Sequence, residues 1–160
     1  MGKSDKSKGE PREAIVCRNR RARHQYEILD TIEAGIVLVG SEVKSLRAGQ
    51  ASIEEAYARI DDGEVFLIDC DIPEYPQASR FNHKPKRRRK LLLHRREVSK
   101  FAGEAQQRGC TLVPLKLYFR RGFARVEIAI ARGRKLHDRR EALKKSDAQR
   151  EMKRALGRRR

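Results

Sequence analysis

Two clusters of bases hold most of the chemistry available to this sequence. Arg18, Arg20, Arg21 and Arg23 fall within six residues, with Asn19 among them and His24 next in line. Lys86 to Lys90 are five consecutive bases, followed at once by Leu91-Leu92-Leu93. Cations at this density neutralise phosphates, while Asn and His can hydrogen-bond or stack on an exposed base. One such run alone reads as a solvated loop. Here a second basic arm and an apolar anchor accompany it, which favours phosphate contact. Acid–base catalysis has weaker material. His24, Glu33, His94 and Asp138 could supply it, but their spacing is unremarkable and no nucleophile or metal motif joins them. Cys17, Cys70 and Cys110 are odd in number and far apart, with no CxxC or HxxxH pairing. That argues against a disulfide framework, a metal site or a cofactor, and fits a reducing cytosol.

The balance of charge points the same way. The 160 residues hold 39 Lys+Arg against 22 Asp+Glu, a net charge of +17. A field of that sign favours phosphate backbones or an anionic membrane surface. Membrane is the weaker choice, since no apolar run approaches the ~18–20 residues of a spanning helix. The first residues, MGKSDKSKGEPRE, lack the apolar core of a signal peptide. Length allows one domain with a modest core plus tails.

The elements that position these residues read as mostly β. Residues 1–17 read as a disordered polar leader. Tyr26, Ile28 and Ile32 have near-strand spacing and Ile36–Val39 is rich in β-branched residues, with Glu33-Ala34-Gly35 interrupting them as a bend or bulge. Gly40-Ser41 supplies a break and an N-cap for a helix over Glu42–Arg47. Asp61-Asp62-Gly63-Glu64, between apolar runs at 52–60 and 65–72, signals a hairpin. Residues 73–90 form a long loop ending in the five bases. His94–Arg108 is helical, with Glu97 in its first turn and Gly109 as the residue past its end. Cys110–Phe119 and Phe123–Ala131 make a second hairpin around Arg120-Arg121-Gly122. The expected fold is a small OB-fold-like antiparallel β-barrel over 18–132, with flanking short helices. Residues 133–160 carry 12 Lys/Arg and 4 Asp/Glu, +8 of the total +17. Their apolar stripe is thin, so a basic tail is expected, disordered when free and helical in an anionic site. The alternative is a C-terminal helix docked on the domain.

The motifs NRRARHQY (19–26), EAGIVLVGSEVKSLRAGQAS (33–52), DGEVFLI (62–68), NHKPKRRRKLLLHRRE (82–97), LVPLKLYF (112–119), ARGRKLHDRRE (131–141) and DAQRE (147–151) run in one order. In these the chain resembles the SsrA-binding proteins of bacterial trans-translation, the small protein B family, from about Asn19 to Ala155. The resemblance implies an OB-fold adaptor, without catalysis of its own, that binds the tRNA-like domain of transfer-messenger RNA (tmRNA) in the cytoplasm. It delivers that RNA to stalled ribosomes, with elongation factor Tu and alanyl-tmRNA as indirect partners.

By motif position the resemblance places Asn19, His24 and Glu33 in RNA binding, and Arg21, Arg23 and Arg125 are counted with them as candidate RNA-binding residues. Lys90 and Leu92 form a second RNA-binding group. Glu33 is informative because a carboxylate repels phosphate. It would accept from a base amine or 2′-OH, or orient an arginine. Its alternative is a bend residue paired with an arm arginine, and that of Leu92 is barrel core. Gly133, Arg134, Lys135, His137, Asp138, Arg139 and Arg140 match the tail segment that lies near the decoding centre, in the vacant mRNA channel. Arg134 and Arg139 stand where lysine is common, Lys84 where an acid often precedes the proline, and Ala148 where some members carry an aromatic. The competing readings are a general RNA-binding or ribosome-associated OB-fold protein and, further off, a nuclease.

Overall fold

The computed structural model describes residues 12–107, 109–134 and 136–157, with the backbone alone at 79, 136–139 and 142. The expected leader therefore lies mostly outside the described residues, but its end does not. Ala14–Arg18 form a strand, β1, so the domain begins earlier than residue 18. The order continues α1 (Ala22–Gln25), β2 (Tyr26–Ile36), α2 (Gly40–Arg47), β3 (Tyr57–Asp61), β4 (Glu64–Ile68), β5 (Arg89–Leu92), α3 (Arg95–Ala105), β6 (Cys110–Arg120), β7 (Phe123–Gly133) and α4 (Leu136–Gly157).

All pairings are antiparallel, in the order β1-β6-β3-β4-β5-β2-β7, and the β6–β7 pairing closes the sheet on itself. This is the small barrel expected of an OB-like sheet. Ala34, Ile36, Val65, Leu67, Leu91, Leu117, Val126, Ile128 and Ile130 fill it, joined by Leu46 of α2 and Phe101 of α3. A smaller cluster lies where Ala22 of α1 covers Val113, Leu115, Ala129 and Ala131.

Both hairpins turn as the chain's twist requires. Asp62 and Gly63 have φ of 50° and 74°, and Arg121 and Gly122 have 51° and 79°, the positive pairs that suit tight hairpins. The predicted bend at Glu33–Gly35 is not there. Those three residues pair in unbroken register with Glu127, Val126 and Arg125, and the irregularity in β2 falls between Ile28 and Asp30. Gly35 has another reason to lack a side chain. It pairs with Arg125 on one flank and Leu92 on the other, and a Cβ there would lie 3.3 Å from that of Leu92.

Ser41 does not cap α2 either. The cap residue is Val39, whose N–H donates to Glu42 Oε2 at 3.0 Å, while Ser41 bonds His83 Nδ1 at 2.8 Å. At α3 the start is as expected, with Glu97 accepting from the His94 N–H at 2.8 Å. The end is not: the helix stops at Ala105 with Gln106 as its cap residue, and Gly109, at φ 79°, turns the chain into β6 instead.

Candidate RNA interface

The pairing register places most of the candidate RNA-binding residues on one outer face of the barrel. Residues two apart on a strand share a face, and directly opposed residues project to the same side. Glu33 and Gly35 of β2 therefore share a face with Glu127 and Arg125 of β7, and with Leu92 of β5, which opposes Gly35. Lys90 lies two residues before Leu92. On the far flank of β7, Lys116 opposes Glu127 and Tyr118 opposes Arg125. Lys116 and Glu127 also line a cleft of about 790 Å³ whose other wall is Arg18, Asn19, Arg20, Arg23 and His24. The outer face thus runs continuously from Arg23 and His24, past Arg125 and Glu33, to Leu92 and Lys90.

Glu33 is held in place by β6 and β7 rather than by the arm. Its Oε2 accepts from the Tyr118 hydroxyl and from Arg120 at 3.2 Å, and its Oε1 lies 3.7 Å from Arg125. The Tyr118 hydrogen bond, then the Arg120 and Arg125 cations, outweigh desolvation and hold the Glu33 carboxyl below its usual value. Burial and the bond to Glu33 push the Tyr118 phenol well up. An ionised carboxylate with one oxygen occupied and the other open is suited to accept from a base amine or 2′-OH. Tyr118 and Arg120 were not singled out by sequence reasoning. Their alternation with the buried Leu117 in β6 is the signal that could have placed them beside Glu33.

Leu92 is not barrel core. It is 55 % exposed, while its neighbour Leu91 is buried at 3 %. A tripled leucine entering a strand must alternate, and here the middle one faces out. Asn19 is the reverse case, buried at 5 % and occupied within the protein. Its Nδ2 donates to Ile53 O at 3.3 Å, and its Oδ1 accepts from the Ala22 N–H at 3.0 Å. It fixes the turn that presents Arg23 and His24. Arg21 is turned elsewhere, 3.5 Å from Glu54 and lining a neighbouring cleft with Gln25 and Tyr57.

The five-base run changes meaning most. Every member has an acidic partner on the domain. Lys86 meets Glu55, Arg87 and Arg89 meet Glu42, Arg88 meets Asp61, and Lys90 meets Glu64. Arg89 and Glu42 are fully buried, at 0 % exposure each. Arg89 donates to Glu42 at 2.8 Å and to the carbonyls of Cys70 and Pro85 at 2.6 and 2.9 Å. Burial alone would push the Glu42 carboxyl up. The Arg87 and Val39 hydrogen bonds and the two guanidinium charges outweigh it and leave the group below its ordinary value. The run is largely a clamp that sets β5, and so sets where Lys90 and Leu92 stand.

In the tail segment, Gly133 ends β7 opposite Tyr26, and the Arg134 N–H donates to Gln25 O at 3.1 Å. Lys135 and the side chains of His137, Asp138 and Arg139 lie outside the described residues; Arg140 is exposed. The segment is helical as α4, and Leu143, Met152 and Leu156 are exposed at 55, 68 and 71 %. His24, Glu33, His94 and Asp138 lie on α1, β2, the start of α3 and α4, four separate elements. Among the described residues, no helix is long and apolar enough to cross a membrane.

Comparison with known proteins gives one family. The model of the SmpB protein family matches residues 16–158. The SsrA-binding protein of Parafrankia sp. is 56 % identical over 144 residues, covering 90 % of this chain and 91 % of that protein. That of Mycolicibacterium vanbaalenii is 52 % identical over 159 residues, covering 99 % and 96 %. A solved chain described by the words "tmRNA-SmpB: a journey to the center of the bacterial ribosome" superposes with a TM-score of 0.64 at 52 % identity, covering 75 % of this chain and 85 % of that one. With the barrel, the outer face and these likenesses together, the chain belongs to the SmpB protein family.

Proposed function

We propose that this protein binds the tRNA-like domain of tmRNA and delivers it to stalled ribosomes in the bacterial cytoplasm, as an adaptor without chemistry of its own. The observation that carries the reading is the single outer face joining Arg23, His24, Arg125, Glu33, Leu92 and Lys90. It combines cations for phosphate, an imidazole and an aliphatic side chain for unstacked bases, and one oriented carboxylate for a donor edge. Asn19 serves it by shaping the arm. The tail from Gly133 to Arg140, continuing as α4, enters the mRNA channel and decoding centre of the small subunit. Little apolar surface holds α4, so its helix is completed by that anionic surround. Elongation factor Tu meets the complex through the charged RNA.

The test is binding to the tRNA-like domain against a matched tRNA at two salt concentrations. A preference for the tRNA-like domain that survives the higher salt is expected. Equal affinities that fall together would leave a general basic OB-fold protein.

A further inference from the structure

The loop between β4 and β5 carries an aromatic that nothing in the RNA-binding face explains. Phe81 is 85 % exposed, more than any other large hydrophobic among the described residues. It ends a single turn of 3-10 helix, Ser79–Phe81, in a segment that is otherwise firmly pinned. Asn82 clasps Tyr75 twice, accepting from its N–H at 2.9 Å and donating to its carbonyl at 2.7 Å. His83, 6 % exposed, is fixed through both ring nitrogens, to Ser41 and to Ile72 O, each at 2.8 Å. Ser45 donates to Pro73 O at 2.8 Å, and the Lys44 ammonium stands 5.5 Å from the Tyr75 ring. A loop fixed at so many points could have turned its one phenyl ring inward. Instead it holds the ring out in water, which costs apolar exposure.

The charges around that ring are the second observation. Lys86 through Lys90 are each answered by a carboxylate on the domain. Arg80 and Lys84 are exposed and make no ion pair among the described residues. The uncommitted cations of residues 73–90 are thus the two that bracket Phe81; Glu74, near the root of the loop, is the one opposing charge in the segment. A partner protein docking on a lone phenyl ring would want an apolar surround. Here the immediate neighbours are Arg80 and Asn82. An exposed flat ring with a free cation one residue before it and another three residues after it fits a base and its flanking phosphates.

We propose that Arg80, Phe81 and Lys84 form a second RNA contact, distinct from the outer face of β2, β5 and β7. Phe81 stacks on an unpaired base, and Arg80 and Lys84 hold the adjoining phosphates. The loop is pinned to α2 through the Ser41–His83 and Ser45–Pro73 bonds, and among the described residues it makes no hydrogen bond or ion pair with Glu33 or the arm. Resting on the adaptor reading above, its partner is the ribosome's own RNA rather than the RNA gripped beside Glu33.

The chain contains no tryptophan, so Phe81→Trp installs a single indole as reporter. Full-length Phe81→Trp protein is titrated with ribosomes stalled on truncated message, and separately with a short oligoadenylate and with the tRNA-like RNA. Quenching by ribosomes and by oligoadenylate is expected, with no quenching by the tRNA-like RNA. Phe81→Ala is expected to lower ribosome affinity about tenfold while leaving tRNA-like RNA affinity unchanged. Arg80→Gln with Lys84→Gln is expected to flatten the salt dependence of ribosome binding. Unchanged emission on saturated ribosomes, or a blue shift without quenching as in a protein pocket, would overturn the proposal. So would an affinity loss for the tRNA-like RNA in Phe81→Ala. None of these outcomes bears on whether the outer face binds the tRNA-like RNA.

Discussion

Glu33→Ala tests the outer face because two physical effects oppose each other there. Removing the carboxylate leaves Arg120 and Arg125 unneutralised, adding one unit of positive charge to a phosphate-binding surface. At several ångströms in a solvated setting that gain is under about 1 kcal/mol and shrinks with salt. Against it stands the loss of the acceptor. Oε2 is occupied by Tyr118 and Arg120, whereas Oε1 has only Arg125 at 3.7 Å, beyond hydrogen-bond range. One charge-assisted bond to RNA through Oε1 contributes about 1.5–3 kcal/mol. The difference, about 0.5–3 kcal/mol, predicts binding to the tRNA-like domain roughly 2- to 150-fold weaker, with a salt slope no shallower than before. Tyr118→Phe leaves the charge in place and frees its orientation, so a smaller loss in the same direction is expected. Fluorescence anisotropy at two salt concentrations measures all of this. Tighter binding by Glu33→Ala would refute the reasoning and reduce Glu33 to a neutraliser of its arginines.

Glu42→Ala leaves the Arg89 guanidinium buried without its counter-charge, and a loss of about 3–5 kcal/mol in urea unfolding is expected. A loss below ~1 kcal/mol would show that water or rearrangement rescues Arg89. Because the folded Glu42 carboxyl is held below its ordinary value, its contribution is fully present above the unfolded value near ~4.3 and is lost as pH falls through the folded one. Wild-type stability should therefore drop more steeply below that pH than that of Glu42→Gln, and parallel profiles would contradict the assignment. A chain ended after Arg134 retains the Tyr26–Gly133 pair and the bond to Gln25. It should bind the tRNA-like RNA within about threefold of the full chain but fail to support tagging on stalled ribosomes; equal loss of both would put the tail inside the RNA site. Burial pushes the Cys17 and Cys70 thiols up to about 11 and about 12. Fully buried Cys70 should not react with a thiol reagent at neutral pH until the protein is unfolded, and half-buried Cys17 should react far more slowly than a free thiol.

What the sequence could and could not disclose follows the range of the forces involved. The two hairpins and the start of α3 are written locally, in Asp62-Gly63, Arg121-Gly122 and Glu97, and were legible. The helix itself stops at Ala105, short of the Gly109 that looked like its terminator. Where the outcome depends on a distant partner, local reading failed. The irregularity of β2 belongs to its register with β7, so Glu33-Ala34-Gly35 looked like a bend and is straight strand. Arg89 looked like one more phosphate ligand because its partner Glu42 lies 47 residues earlier, and nothing nearby marks it as buried. The site divides in the same way. His24, Glu33 and Lys90 could be named from motifs, but Tyr118 and Arg120, which aim Glu33, come into view only once β6 and β7 are paired.

The place where the tail leaves the barrel has a geometric consequence. Gly133 is paired to Tyr26 and Arg134 is bonded to Gln25, so the tail departs from the same point at which the arm turns into β2. From there a 22-residue helix at ~1.5 Å per residue reaches about 33 Å. Arm and tail then act as two pointers on one axle. Once the arm is seated on an RNA, the tail's point of departure is set with it, and the length of the helix sets how far its bases can reach. Span and point of origin, as much as charge, become properties on which selection can act.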